Sequence, residues 1–210
     1  MKSIKDGVVN TEIFNSEGNT KILWILKEGN VSSEDYDKQR DICEELREGA
    51  HMPNALSIPT FKRIIYTSYW LLHPEKEWSN IPFANEAECY SAVNHIAYVN
   101  INKNPAGAVS NDSFLYNAFS ENKEVLLAQI QEINPEVIIF GNTLKFFGDA
   151  LSEIGWNTDN KITFDENTDM YVTENKGLIV NAFHPAYFKV SDKNYSEGIK
   201  NAYLKYKQAL

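Results

Sequence analysis

The sequence predicts an α/β domain, a three-layer α/β/α arrangement built on a short, mainly parallel four-stranded central sheet. Three observations carry this expectation. Four short apolar runs, "KILWILK" (21–27), "HIAYVNI" (95–101), "EVIIFG" (136–141) and "GLIVNAF" (177–183), are continuous rather than alternating, as befits strands covered on both faces. Helical periodicities separate them, and strand–helix alternation implies parallel pairing with right-handed crossovers and helices on both faces. At 210 residues, 43% of them hydrophobic, the chain suits one domain with a full core.

Taken in order, residues 1–20 show no strong pattern and read as an N-terminal arm, and 21–27 is the first strand. Seven acids follow in one segment (Glu34, Asp35, Asp37, Asp41, Glu44, Glu45 and Glu48), the composition of a solvated helix face. Phe61, Ile64, Ile65, Ser68, Tyr69 and Leu72 keep helical spacing over 57–72, with Pro59 tolerated in the first turn. After the second strand a helix spans 111–133, striped by Leu126, Ile130 and Ile133, and Asn134-Pro135 stops it. The third strand leads through Asn142 and Thr143, the expected cap, into a helix over "TLKFFGDALSEIG". Residues 155–176 read as a meander with turns at 165–167 and 174–177, entering the fourth strand. Ile199, Tyr203, Tyr206 and Leu210 form a C-terminal amphipathic helix.

Composition narrows the function classes. Cys43 and Cys89 are the only cysteines, too few for a disulfide framework or an iron–sulfur site. His51, His73, His95 and His184 are scattered without metal-ligand spacing, so neither a metal nor another cofactor is expected. No apolar run nears the ~20 residues of a membrane span, and the start lacks signal-peptide features; a cytoplasmic protein without a membrane partner is expected. The net charge of −9 repels a phosphate backbone, which lowers the odds of a nucleic-acid partner.

Ligands of open α/β sheets gather outside the carboxyl ends of the strands. Those ends carry Lys27, Glu28, Gly29 and Asn30; Asn100, Asn102, Lys103, Asn104 and Pro105; Gly141, Asn142 and Thr143; and His184 and Pro185. The set holds no Ser–His–Asp order, no nucleophile elbow and no glycine-rich phosphate loop. What remains is acid, base and hydrogen-bond chemistry. Singly, each residue has a plainer reading: Glu28 as a solvated strand end, Lys27 and Lys103 as surface charges, Asn100 as a partner of loop backbone, His184 as a packed strand cap. Their convergence on one rim is the stronger observation.

In order, these strand ends resemble the uracil-DNA glycosylase superfamily over roughly residues 20–190. "ILWILKEGN" stands where the family has an apolar strand and its first catalytic loop, with Leu26 and Gly29 in place of a glycine and a proline. "VNINKNPAG" is similar to the second strand end at Asn100, Lys103 and Pro105. "EVIIFGNTL" looks like the third strand with its Gly-Asn-Thr turn, and "NAFHPAYF" like the closing His-Pro-Ser motif, with alanine for the serine. The resemblance implies a single domain over 1–210 that hydrolyses the N-glycosidic bond of uracil or a modified base in DNA, without metal. Glu28 would then activate water and face the sugar, and His184 would donate to a base oxygen. Asn100 would pair with the flipped base, while Lys27 and Lys103 hold phosphates. Gly29, Asn30, Asn142, Pro185 and Tyr187 would complete the substrate contacts, with Tyr187 or Phe188 wedged into the stack. The implied partner is DNA, single-stranded or modified, bound weakly and salt-dependently by a monomer. The alternatives are a catalytically inactive module of the same fold that binds a nucleotide, base or protein, and an enzyme acting on free nucleosides or small glycosides.

Overall fold

Residues 22–26 are at most 1% exposed, and this stretch forms the middle of the sheet. The computed structural model describes residues 4–30, 39–106, 111–174 and 176–209. In chain order the elements are β1 (Gly7–Val8), α1 (Thr11–Phe14), β2 (Ile22–Asn30), α2 (Ile42–Arg47), α3 (Pro59–Leu72), α4 (Ala87–Tyr90), β3 (Ile96–Ala106), α5 (Asp112–Ile133), β4 (Val137–Gly141), α6 (Leu144–Phe147), β5 (Lys161–Asp165), β6 (Thr168–Thr173), β7 (Gly177–Ala182) and α7 (Asp192–Gln208). Glu34, Asp35 and Asp37 of the acidic segment, and the side chain of Asn30, lie outside the described residues.

Among the described residues the sheet has seven strands in the order β1-β3-β2-β4-β7-β6-β5. The four apolar runs form its contiguous middle, β3-β2-β4-β7, and pair in parallel throughout. The expected sheet of four is therefore corrected to a mixed sheet of seven. Three antiparallel strands extend it: β1 along β3, and the β5–β6 hairpin along β7. β1 is two residues long and β5 is half exposed, so neither carries the apolar run by which a central strand is recognised.

Side-chain alternation along the four parallel strands divides the core in two. Trp24, Leu26, Tyr98, Ile139 and Val180 face a layer with α2, α3, α4 and α7. Leu23, Ile25, Val99, Phe140 and Ile179 face α5 and α6. Polar ties fix the first layer: Trp24 Nε1 donates to Ser68 Oγ at 3.0 Å, and the Thr67 and Ser196 hydroxyls share a bond of 2.9 Å between α3 and α7.

The helix expected after β4 is shorter and differently started. α6 is a single turn, followed by 3₁₀ turns over 148–154. Gly148 breaks it at φ 49°, ψ −130°, a conformation that a side chain strongly disfavours. Thr143 makes no capping bond; its hydroxyl donates instead to the Ile25 carbonyl at 2.7 Å, tying the β4 exit to β2. Asn142 takes the left-handed conformation (φ 59°) at that exit, which asparagine tolerates.

Candidate functional site

The chain runs from β2 to β3 on one side and resumes with β4 on the other. This reversal makes the carboxyl end of β2 a topological switch point, where open α/β sheets leave a crevice. A cleft of ≈ 470 Å³ opens there. Leu26, Lys27, Glu28 and Gly29 of β2 line one side, and His184 and Ala186 of the loop after β7 line the other. The structure thus brings Glu28 and His184 to one cleft. β4 lies between β2 and β7, so the two strand ends stand roughly 10 Å apart, twice the inter-strand spacing.

Gly141 makes this closure possible. A Cβ there would meet Leu26 Cδ2 at 2.5 Å and Pro185 Cδ at 3.0 Å. β4 ends on the one residue over which Leu26 and the His-Pro turn can close.

His184 is held in one chemical form. Its Nδ1 accepts the Ala186 backbone N–H at 3.2 Å, which leaves the ring proton on Nε2. Burial, helped by the nearby Lys27 charge, lowers its pKa to about 4. At neutral pH the ring is an uncharged donor at the cleft.

The facing wall comes from the segment between β2 and α3. Arg40 grips Glu45 with a two-pronged contact (Nε–Oε1 2.8 Å, Nη2–Oε2 2.8 Å), and His51 Nε2 meets the same carboxylate at 2.9 Å. Burial pushes Glu45 up, but the bonds from His51 and Arg40 outweigh it and hold the carboxyl at about 2. The His51 ring stacks on Phe61, with centroids 4.1 Å apart and planes at 27°. Tyr98 supplies part of the floor, its phenol pushed far up by burial. Composition alone pointed to none of these residues: Phe61 reads as one more apolar residue of a helical stripe, Glu45 as one acid of a solvated face, His51 as one of four scattered histidines and Tyr98 as part of an apolar strand, while Arg40 stands in no motif.

The remaining expected residues divide. Pro185 is buried against Gly141. Tyr187 stacks on Phe183 with centroids 4.3 Å apart, and Phe188 beside it is 84% exposed. Asn142 lies outside this cleft, in a shallower groove beside Asn181. Lys103 is also elsewhere. Its ammonium is bound by Asp6 Oδ1 at 2.8 Å and Gln129 Oε1 at 2.8 Å. Asn100 is fully buried at the register position beside Leu26. Its backbone N–H donates to Asp6 Oδ2 at 2.7 Å, but its side-chain amide has no hydrogen-bond partner at either end among the described residues. Leaving such an amide unsatisfied costs about 1–3 kcal/mol. Asn100 is not part of the cleft wall; Tyr98, one step back on the same strand face, is.

The chain matches no protein-family model and no curated protein. Among the described residues, no group of three or more His, Cys, Asp and Glu is placed to hold a metal ion, and no helix is long and apolar enough to cross a membrane. Cys43 and Cys89 are buried free thiols, each pushed up to about 12 chiefly by burial, too high for a reactive thiolate.

Proposed function

We propose that the protein hydrolyses an N-glycosidic bond, releasing uracil or a modified base from DNA. The observation that carries this reading is the pairing of a carboxylate with a neutral, Nε2-protonated imidazole across one cleft at the switch point of the sheet. Breaking that bond develops positive charge on the sugar and negative charge on the departing base. A carboxylate serves the first, and a preset donor serves the second without needing reorganisation. Glu28 faces the sugar and takes a proton from the attacking water. His184 donates Nε2–H to a base oxygen. The His51–Phe61 stack provides a flat apolar wall against which a flipped base packs.

One observation favours a second substrate class within the same chemistry. Two cations beside β2 and α3 are already matched by acids of the chain, Arg40 of the cleft lining with Glu45 and Lys62 with Asp192. That leaves little counterion release for a phosphate backbone and suits a free nucleoside.

The test is base release from oligonucleotides carrying uracil or a panel of modified bases, run beside the matching free nucleosides. Release from oligonucleotides that is lost in Glu28→Gln supports the proposal. Release from nucleosides alone selects the second substrate class. Base binding without release from either substrate overturns the catalytic reading in favour of a binding module.

A further inference from the structure

Arg63 on α3 is a charged group that the cleft chemistry does not use. It is 5% exposed, and a buried charge persists only where its hydrogen bonds are met. Its Nε donates to Asp192 Oδ1 at 2.9 Å, its Nη1 to the Tyr187 carbonyl at 2.5 Å, and its Nη2 to the Val190 carbonyl. The guanidinium also lies over the Tyr195 ring, 5.0 Å from its centre. Two of the three acceptors are therefore backbone carbonyls of the loop that follows His184. The near end of that loop is held separately, where the Tyr195 hydroxyl donates to the Phe183 carbonyl at 2.9 Å. Between these anchors the Tyr187 N–H donates to the His184 carbonyl at 2.8 Å, closing the turn that carries the Ala186 N–H to the imidazole.

We propose that Arg63 is the positioning residue of the cleft: by clamping the Tyr187 and Val190 carbonyls it holds the turn that fixes His184 as its Nε2–H tautomer. The forked guanidinium suits this task, because it spans two carbonyls and a carboxylate at once; a lysine ammonium is a point donor that cannot reproduce the spread. An apolar residue of similar volume would pack the same space without holding the turn. The importance of the tautomer for base release rests on the function proposed above, whereas the clamp does not.

The experiment follows the ring nitrogens of His184 by ¹⁵N NMR at neutral pH in the full chain, beside Arg63→Met and Arg63→Lys. The wild-type ring gives an acceptor-type Nδ1 and a protonated Nε2. In Arg63→Met both signals move toward the averaged values of a free imidazole, and Arg63→Lys falls between. Base-release kcat drops by roughly 10- to 100-fold, as expected for a misplaced reacting group, while KM changes little. A folded Arg63→Met with unchanged ring signals overturns the proposal, whatever its activity. Should that variant not fold, Asp192→Asn keeps the core filled and weakens the hold on Nε; it then gives the same displacement in smaller measure, and its absence overturns the proposal equally. If the wild type releases no base, the ring signals still decide the clamp, and only the catalytic reading fails.

Discussion

At the carboxyl end of β2, Lys27 and Glu28 face an open cleft. At the adjoining end of β3, Asn100 is buried and Lys103 is largely covered by residues 4–6. The two ends are hydrogen-bonded neighbours, with Leu26 beside Asn100 and Glu28 beside Asn102, and they carry similar polar chemistry. What differs is the covering. The Ile4 N–H donates to the Lys103 carbonyl at 2.8 Å, and Asp6, with its side chain 3% exposed, takes both the Lys103 ammonium and the Asn100 N–H. Burial pulls the Lys103 pKa down and Asp6 pulls it back up. A lysine satisfied in this way has no capacity left for a phosphate. The position of a polar residue at a strand end thus nominates a site, and the segment lying over it decides whether the site exists.

The contrast breaks most readily at Glu28. Glu28→Gln keeps the shape and removes the charge, so base release should fall by roughly 10³-fold or more while urea unfolding is little changed; His184→Ala should cost roughly 10²-fold to 10³-fold. Similar small losses at both positions would mean that the β2 end is as inert as its neighbour. On the sealed side the expected effect is on stability. Asp6→Ala strands a buried ammonium and should cost about 3–5 kcal/mol in denaturant unfolding, with KM for any substrate unmoved. A Lys103→Met variant that raised KM without touching stability would reverse the assignment of the two ends.

A third measurement uses pH. The native pKa of His184, about 4, lies below its ordinary 6.5. Between those values the unfolded chain binds a proton that the native state refuses, so this group's contribution is complete above pH 6.5 and is lost as pH falls toward 4. The amount is on the order of 3 kcal/mol, read as the wild-type stability minus that of His184→Gln across the window. A pH-independent difference would remove the half-buried, neutral imidazole. The smallest expected effect is that of Lys27→Met, which should raise the His184 pKa by less than half of its displacement, because burial is the larger cause and Lys27 the lesser. Titration of the His184 ring by NMR measures it.

Much of the parallel middle of this sheet was legible in the sequence. A strand buried on both faces must be apolar at every position, and the runs at 21–27, 95–101, 136–141 and 177–183 correspond to β2, β3, β4 and β7. α3 and α5 were legible for the same reason, since each must present one apolar stripe. β1 was not, because two residues have no period. The shortness of α6 was not either, because the stop lies in the backbone angle of Gly148 rather than in any apolar pattern. For the cleft, Glu28 and His184 were found by reading past the strand ends. The burial of Lys103 depends on Asp6 and Gln129, 97 and 26 residues away, pairings that leave no trace in local spacing; the wall opposite His184 depends on Glu45 gathering Arg40 and His51, five and six residues away, in a stretch that no periodicity marks.

The sealing of β3 also has a temporal side. Asp6 meets Asn100 across 94 residues of sequence, Lys103 across 97 and Gln129 across 123. On a ribosome that delivers the N-terminus first, residues 4–8 emerge early, meet residues 40–43 and then β3, and complete their contacts only once α5 has followed. This segment is thus among the earliest made, yet it completes its docking only after β3 and Gln129 of α5 have followed. A fusion or a cut near residue 4 is expected to act on assembly first, through a strand that lies in the middle of the chain.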